Sequence, residues 1–286
     1  MRVATVQLIR QGSIRQEDLI IILDAVIKKS KRYGAGLVVL PGQVGLLIGE
    51  ALKGKEILEP DDVSFQGIDT VYHAWSKQFA TYYNISLTLG SYWVEEEELF
   101  SVAYLYNQKG EVLLKQGQIQ LSEKERSWGI KPYQEINVAE FQDGYVLGFA
   151  LGLDNYAPEH YRILNLQGAN LVLGLSTEWG MNDQLAGIWQ LVQQNQVYAL
   201  ESSLVGDMVS GGLGIFGPCE ITPLESGVIC DGSALVEERP VDMEIQGNSL
   251  QARICMADLS LESLLGIRKS YPINDLYNVQ LYRRWL

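Results

Sequence analysis

Cysteine is scarce in this 286-residue chain, with Cys219, Cys230 and Cys255 the whole supply. Three thiols with no C-x-x-C spacing cannot build a disulfide framework and do not suit a zinc site, so no metal is expected. Long apolar runs are missing as well. No stretch reaches about 18 apolar residues, so nothing is expected to span a bilayer. The opening Met1-Arg2-Val3-Ala4-Thr5-Val6-Gln7-Leu8 lacks the apolar core of a signal peptide and reads as a strand, which makes a cytoplasmic location the expectation. Basic clusters are absent too. Lys plus Arg is 22 against 35 for Asp plus Glu, a net charge of −13. That excludes a non-specific binder of nucleic acid or anionic membrane. Low-complexity tracts and Pro/Ser-rich linkers are lacking, and one domain over 1–286 is expected. Gly211-Gly212-Leu213-Gly214 reads as a hairpin turn, not a phosphate loop, so no cofactor is implied.

What is present is an ordinary globular composition, 47% apolar and 20% charged. Val3–Leu8 reads as the first strand. Ser13 and Gln16 have capping-box spacing ahead of a helix whose face carries Leu19, Ile22, Val26 and Tyr33. The continuous run Leu37–Leu40 suits a strand buried on both faces. A helix is predicted over 61–83 with Ile68, Val71, Trp75, Phe79 and Tyr82 as its stripe. A strand follows over Ile85–Gly90. Val102–Tyr106 and Val112–Lys115 form a hairpin through Asn107–Gly110. The dense charge run Glu95–Glu98 reads as a solvated hairpin edge.

The second half repeats the alternation. Val146–Leu151 is a strand, Pro158–Leu166 a helix and Leu171–Leu175 a strand. A helix over 184–200 carries Leu185, Ile188, Trp189, Val192 and Ala199. Strands follow near Ser203–Met208, Gly214–Ile221, Val228–Gly232 and Leu250–Ala257. Two halves of like order imply an α/β fold of two packed sheets with helices outside, a four-layer α-β-β-α sandwich.

Four segments, in order, resemble the nitrilase (carbon–nitrogen hydrolase) superfamily. The first is Gly36-Leu37-Val38-Val39-Leu40-Pro41-Gly42, where the family has a strand ending in Pro-Glu. The second runs from Gly110 to Leu121 and ends Gln118-Ile119-Gln120-Leu121, where Lys-x-His-Leu is usual. The third is Gly148-Phe149-Ala150-Leu151-Gly152-Leu153-Asp154, followed by Pro158-Glu159, Arg162 and Gly168-Ala169-Asn170. There the family reads Gly-x-x-x-Cys-x-Asp, then Pro-Glu, Arg and Gly-Ala. The fourth is Gln194-Asn195-Gln196-Val197-Tyr198, then Gly206 and Phe216-Gly217-Pro218-Cys219. The tail Arg268–Tyr277 is similar to a C-terminal segment that lies at the family's dimer contact.

The resemblance implies a Cys nucleophile, a Glu general base, a Lys that stabilises the oxyanion, and a second Glu that positions the site. Here the base position holds Gly42, the lysine position Gln118 and the nucleophile position Gly152. The second glutamate is retained as Glu125, with Glu123 the neighbouring alternative. Lys115 and Lys124 are the nearest alternatives to Gln118. Glycine supplies neither base nor nucleophile, and a neutral amide carries no charge. Losing one such group costs on the order of 10²–10⁶ in rate.

The expectation is therefore a pseudoenzyme that acts by binding a small molecule or a protein, with no thioester hydrolysis. Two glycines and an amide imply a roomier, less polarised pocket, with Tyr92, Trp128, Asp154, Tyr156 and Trp179 as candidate lining. The alternative is an amidase-like hydrolase with relocated groups, for which Cys219 is the thiol to test. Cys230 and Cys255 read as core. His160 and His73 read as hydrogen-bonded or packing residues. Asp154 and Glu159 read as caps of the helix near 158, with Arg162 pairing to one of them. The resemblance also implies a homodimer or larger homo-oligomer, or a hetero-oligomer with an active paralogue.

Overall fold

The computed structural model describes residues 1–54, 57, 65–176, 178–179, 187–206, 209–231, 243–246 and 249–276. Its first half runs β1 (Arg2–Arg10), α1 (Gln16–Arg32), β2 (Leu37–Val39), α2 (Val44–Lys53), α3 (Phe65–Tyr83), β3 (Ser86–Thr88), β4 (Ser91–Glu95), β5 (Leu99–Tyr106), β6 (Val112–Gly117) and α4 (Glu123–Ser127). The second half runs β7 (Val138–Glu140), β8 (Val146–Leu151), α5 (Pro158–Leu166), β9 (Leu171–Ser176), β10 (Glu178–Trp179), α6 (Ile188–Asn195) and β11 (Tyr198–Val205). It closes with β12 (Val209–Ser210), β13 (Gly214–Phe216), β14 (Val228–Asp231), β15 (Met243–Gln246), β16 (Leu250–Asp258), α7 (Leu261–Ser270) and α8 (Ile273–Leu276).

The main sheet follows the order β4-β5-β3-β2-β1-β11-β9-β8-β7, with β6 on β5, β16 on β1 and β13 on β11. Strands β3, β2, β1, β11, β9 and β8 pair in parallel, and the hairpin strands add to them antiparallel. Three apolar cores separate four layers. Leu19, Val26 and Tyr72 of α1 and α3 pack on Val38 and Leu87. Val39 and Leu105 of the first half meet Phe149 and Leu173 of the second in the middle. Tyr161, Leu164, Ile188 and Val192 of α5 and α6 cover Ala150 and Val172. This is the α-β-β-α sandwich that the alternation implies.

Several local expectations need correction. Ser13 does not cap α1. Its N-cap is Arg15, with no side-chain cap bond, and Arg15 Nε donates instead to Asp18 at 2.9 Å. Tyr33 ends up 44% exposed. The buried line of α3 is Ile68, Tyr72, Ser76, Phe79 and Ala80, while Tyr82 is 77% exposed. Val71 and Trp75 pack partly buried against the same core, and Tyr72 joins the line with its ring against Tyr92 of β4. The predicted helix over 184–200 stops at Asn195. Gln196 adopts φ 48, and Tyr198-Ala199-Leu200 enters β11. Helix α2 carried no periodic signal because it is buried nearly all round, down to Glu50, which pairs with Arg10 at 3.0 Å. Glu95–Glu98 does form the exposed tip between β4 and β5. The predicted positions 61–64, Leu185, Met208, Gly232 and Tyr277 lie outside the described residues.

Candidate functional site

The three positions follow strand ends, and two of them, Gln118 and Gly152, meet. β2 delivers Leu40-Pro41-Gly42, β6 delivers Gln118, and β8 delivers Gly152. Close approach holds the first turn. Gly90 takes φ 96, and a Cβ there would lie 1.7 Å from the Pro41 carbonyl oxygen, so only glycine fits.

Gln118 is 2% exposed. Its Nε2 donates to the Gln120 carbonyl at 2.9 Å and to the two Glu125 carboxylate oxygens at 3.0 and 3.1 Å. Its backbone N–H donates to the Ser101 carbonyl at 2.8 Å. Glu125 belongs to a capping box that opens α4: Ser122 Oγ accepts from Glu125 N, and Glu125 Oε2 accepts from Ser122 N at 2.8 Å. Burial pushes the Glu125 carboxyl up, against the pull of the Ser122 and Gln118 donors. Between Glu123 and Glu125, it is Glu125 that turns inward, while Glu123 stays exposed. Between Lys115 and Gln118, it is Gln118 that meets it. Lys115 pairs with Glu96 at 2.6 Å on the outside of the hairpin, and Lys124 lies over the Trp128 ring at 5.1 Å.

Gly152 takes φ 50, a left-handed conformation suited to glycine. A Cβ at this position would lie 2.6 Å from Gln118 Nε2, 3.0 Å from its Cδ and 3.3 Å from its Oε1. The volume beside Gly152 is thus occupied by the Gln118 carboxamide and is not roomy, contrary to the expectation from small residues alone. Asp154 ties the two segments together. Its carboxylate accepts from Ile119 N, Gln120 N and Leu151 N at 3.2, 2.7 and 3.3 Å. Burial nonetheless raises its carboxyl, opposed by His160 and by these donors. Asp154 caps the 3₁₀ turn Gly152–Tyr156 and not α5, whose N-cap is Ala157 with no side-chain bond. Glu159 is exposed in the first turn of α5. Arg162 donates to the Gln194 carbonyl at 2.9 Å.

The described candidates for the pocket sit in different surroundings. The Tyr92 ring packs on Tyr72 and its hydroxyl donates to Asp69 at 2.7 Å, on the α3 side of the sheet. Trp128 stands edge-on to Trp93, 5.4 Å between ring centroids. Tyr156 is half-buried at the end of its turn. The backbone of Trp179 lies in β10, and its side chain is outside the described residues. His73 sits between Tyr92 and Tyr106, its Nδ1 bonded to the Tyr106 hydroxyl. His160 donates from Nε2 to the Phe149 carbonyl at 2.7 Å.

Sequence reasoning missed Gln43. It follows Gly42 in a left-handed conformation with φ 58 and is 1% exposed. Its N–H donates to Ser91 Oγ at 2.8 Å and its Nε2 to Ser101 Oγ at 3.3 Å. Its Oε1 is buried without a partner among the described residues. Glu201 was missed as well. One of its oxygens accepts from Ser176 Oγ at 3.2 Å and from Gly212 N at 3.1 Å, and burial raises its carboxyl. Only the break in apolar character along β11 marked it. Cys219 lines a separate groove of about 610 Å³ with Gln193, Gln196, Glu220, Tyr271 and Ile273. Cys230 and Cys255 are core residues. Among the described residues no His/Cys/Asp/Glu group is arranged to hold a metal, and no helix is long and apolar enough to cross a membrane.

Comparison with known proteins agrees with this architecture. NitN amidase from Neterenkonia sp. AN1 superposes with a TM-score of 0.69 at 19% identity, covering 100% of both chains. The amidase from Nesterenkonia sp. AN1 bearing the acetamide moiety of fluoroacetamide at its active-site cysteine gives 0.68 at 19% identity, covering 100% of this chain and 97% of that one. At such identities the likeness speaks for the fold. The probable hydrolase YhcX of Bacillus subtilis (strain 168) is 26% identical over 185 residues, 58% of this chain. Those residues span 35% of that protein's length. The carbon-nitrogen hydrolase family profile matches residues 2–264. With the match running across nearly every element of the sandwich, this chain belongs to the carbon-nitrogen hydrolase family of the nitrilase superfamily.

Proposed function

We propose that this chain is a non-catalytic member of its family, acting by binding and not by thioester hydrolysis. The observation that carries the reading is the contact between Gln118 and Gly152. In the vestigial arrangement Gly42, Gln118 and Gly152 stand for base, oxyanion cation and nucleophile, and Glu125 is the retained second carboxylate. Gly152 offers no nucleophile, and the nearest functional group to it is an amide that is itself the kind of bond such enzymes break. Glu125 is engaged with Ser122 and Gln118 and faces no ammonium among the groups described around it. An oxyanion forming beside Gly152 would meet a neutral donor that is already committed to Gln120 and Glu125.

A second reading is an amidase-like hydrolase with relocated groups. The family match and the amidase neighbours favour it. One geometric feature suits it: the hydroxyl of Ser176 lies 3.2 Å from the raised carboxyl of Glu201 at the carboxyl end of β9, a nucleophile–base pairing with a Gly212 N–H alongside. Cys219 suits it less. Among the described residues its groove offers Glu220 and no Lys, Arg or His, whereas a reactive thiolate needs an electropositive setting.

The deciding experiment is a turnover screen over short amides, ureas and nitriles, with Cys219→Ala and Glu201→Gln alongside the natural chain. No hydrolysis above background is expected. Hydrolysis abolished by either substitution would establish the second reading.

For partners, the reading includes a homodimer. Large apolar side chains are exposed on α5, α6, α7 and α8, among them Leu166, Trp189, Leu265 and Leu276. Such a concentration suits a second copy of the chain, or an active paralogue of like surface. A supply of only three cysteines, too few for a disulfide framework, suits a reducing, cytoplasmic setting.

A further inference from the structure

The neutral carboxamide that replaces a cation does more than leave a charge out. The Cδ, Nε2 and Oε1 of Gln118 all lie within 3.3 Å of the point where a β-carbon on Gly152 would stand. The amide therefore lies across the position from which a nucleophile would project. Its orientation is fixed by its partners. The Gln120 carbonyl can only accept, and the Glu125 carboxylate accepts from the same nitrogen, so the NH₂ end must face them. The backbone bond from Gln118 N to Ser101 and the Asp154 clamp on residues 119 and 120 hold the chain on either side.

We propose that Gln118 is a built-in occupant of the centre. Its side chain fills the volume in which a small carboxamide ligand would meet Glu125 and the turn at Gly152, so the protein carries its own amide there and excludes a free one. The inference rests on the reading that no nucleophile stands at 152. Its consequence is that binding to partners takes place over the outer surface, unless Gln118 is displaced.

Truncation makes this testable. Gln118→Ala removes the CH₂–CONH₂ unit, which is acetamide less one hydrogen. The vacated space then presents the acceptors of Gln120 and Glu125 to an N–H donor of that size. Thermal unfolding of the purified full chain should show the variant lowered by about 5 °C or more. Acetamide at about 100 mM should raise the variant's midpoint by roughly 2 °C or more, with saturation. The natural chain should not respond. Acetate and acetonitrile should not rescue, since neither offers an N–H to those acceptors. Gln118→Ser serves if the alanine variant fails to fold. A co-crystal of the rescued variant should place the acetamide nitrogen against Glu125.

Saturable acetamide binding by the natural chain, or a folded variant that ignores acetamide, overturns the occupant proposal alone. Ammonia release from acetamide by the natural chain overturns the non-catalytic reading instead. The two failures are therefore distinguishable.

Discussion

Glu125 holds Gln118 with the same carboxylate that closes the helix cap on Ser122: Oε2 accepts from Ser122 N at 2.8 Å and from Gln118 Nε2 at 3.1 Å. A local capping signature thus doubles as the anchor of the Gln118 carboxamide. Burial raises this carboxyl in the folded protein. A raised folded pKa means that the group's contribution to stability is full below its unfolded pKa and falls away as pH rises through the folded value. The natural chain should therefore gain stability relative to Glu125→Gln as pH is lowered from 7 toward about 4.3, the unfolded glutamate value. Each pKa unit of elevation is worth about 1.4 kcal/mol. Denaturant unfolding of both proteins across that range checks it. A difference that shrinks on acidification would contradict it.

Rebuilding the nucleophile alone should fail. Gly152→Cys places a Cβ 2.6 Å from Gln118 Nε2 at a residue with φ 50. Left-handed strain of about 1–2 kcal/mol and overpacking of about 1–3 kcal/mol should combine to lower stability. The packing part should disappear when Gln118→Ala is present in the same chain, so the two substitutions should be non-additive in a double-mutant cycle. Simple additivity would show that the two residues do not share the space.

Gln43 is predicted to be a stability liability. It combines a left-handed backbone with a buried Oε1 that has no partner among the described residues, against one side-chain bond to Ser101 at 3.3 Å. Gln43→Gly should stabilise by about 1 kcal/mol and raise the unfolding midpoint by about 2–4 °C. A fall of that size would mean that the Ser101 bond outweighs the strain.

The exposed apolar face should govern assembly. Leu166 and Leu276 are 52% and 78% exposed on α5 and α8. Light scattering should give a dimer mass for the natural chain, and Leu166→Glu should shift it to a monomer without changing the circular dichroism spectrum. An unchanged mass would remove this face from the interface.

Much of the fold was legible in the sequence because its signals are local. Pro158 fixed the start of α5 to the residue, and continuous apolar runs gave the buried strands β2, β8 and β9. Where burial surrounds an element, as in α2, or where a helix gives way to a strand without a Gly or Pro, as at Gln196, the local pattern carries no boundary. The capping of Asp154 was misassigned for a related reason. Its nearest helix is α5, but its donors come from residues 119, 120 and 151.

By itself the sequence determined which residues stand at the positions that the family resemblance singles out: glycines at 42 and 152, an amide at 118 and a carboxylate at 125. That follows from composition at aligned positions and needs no coordinates. Only the tertiary structure decided how those groups use the space. Whether two glycines leave an opening or are packed over depends on side chains that arrive from distant segments, and here Gln118 reaches Gly152 and fills it. Packing to crystal-like density is a property of the assembled layers, not of any one segment.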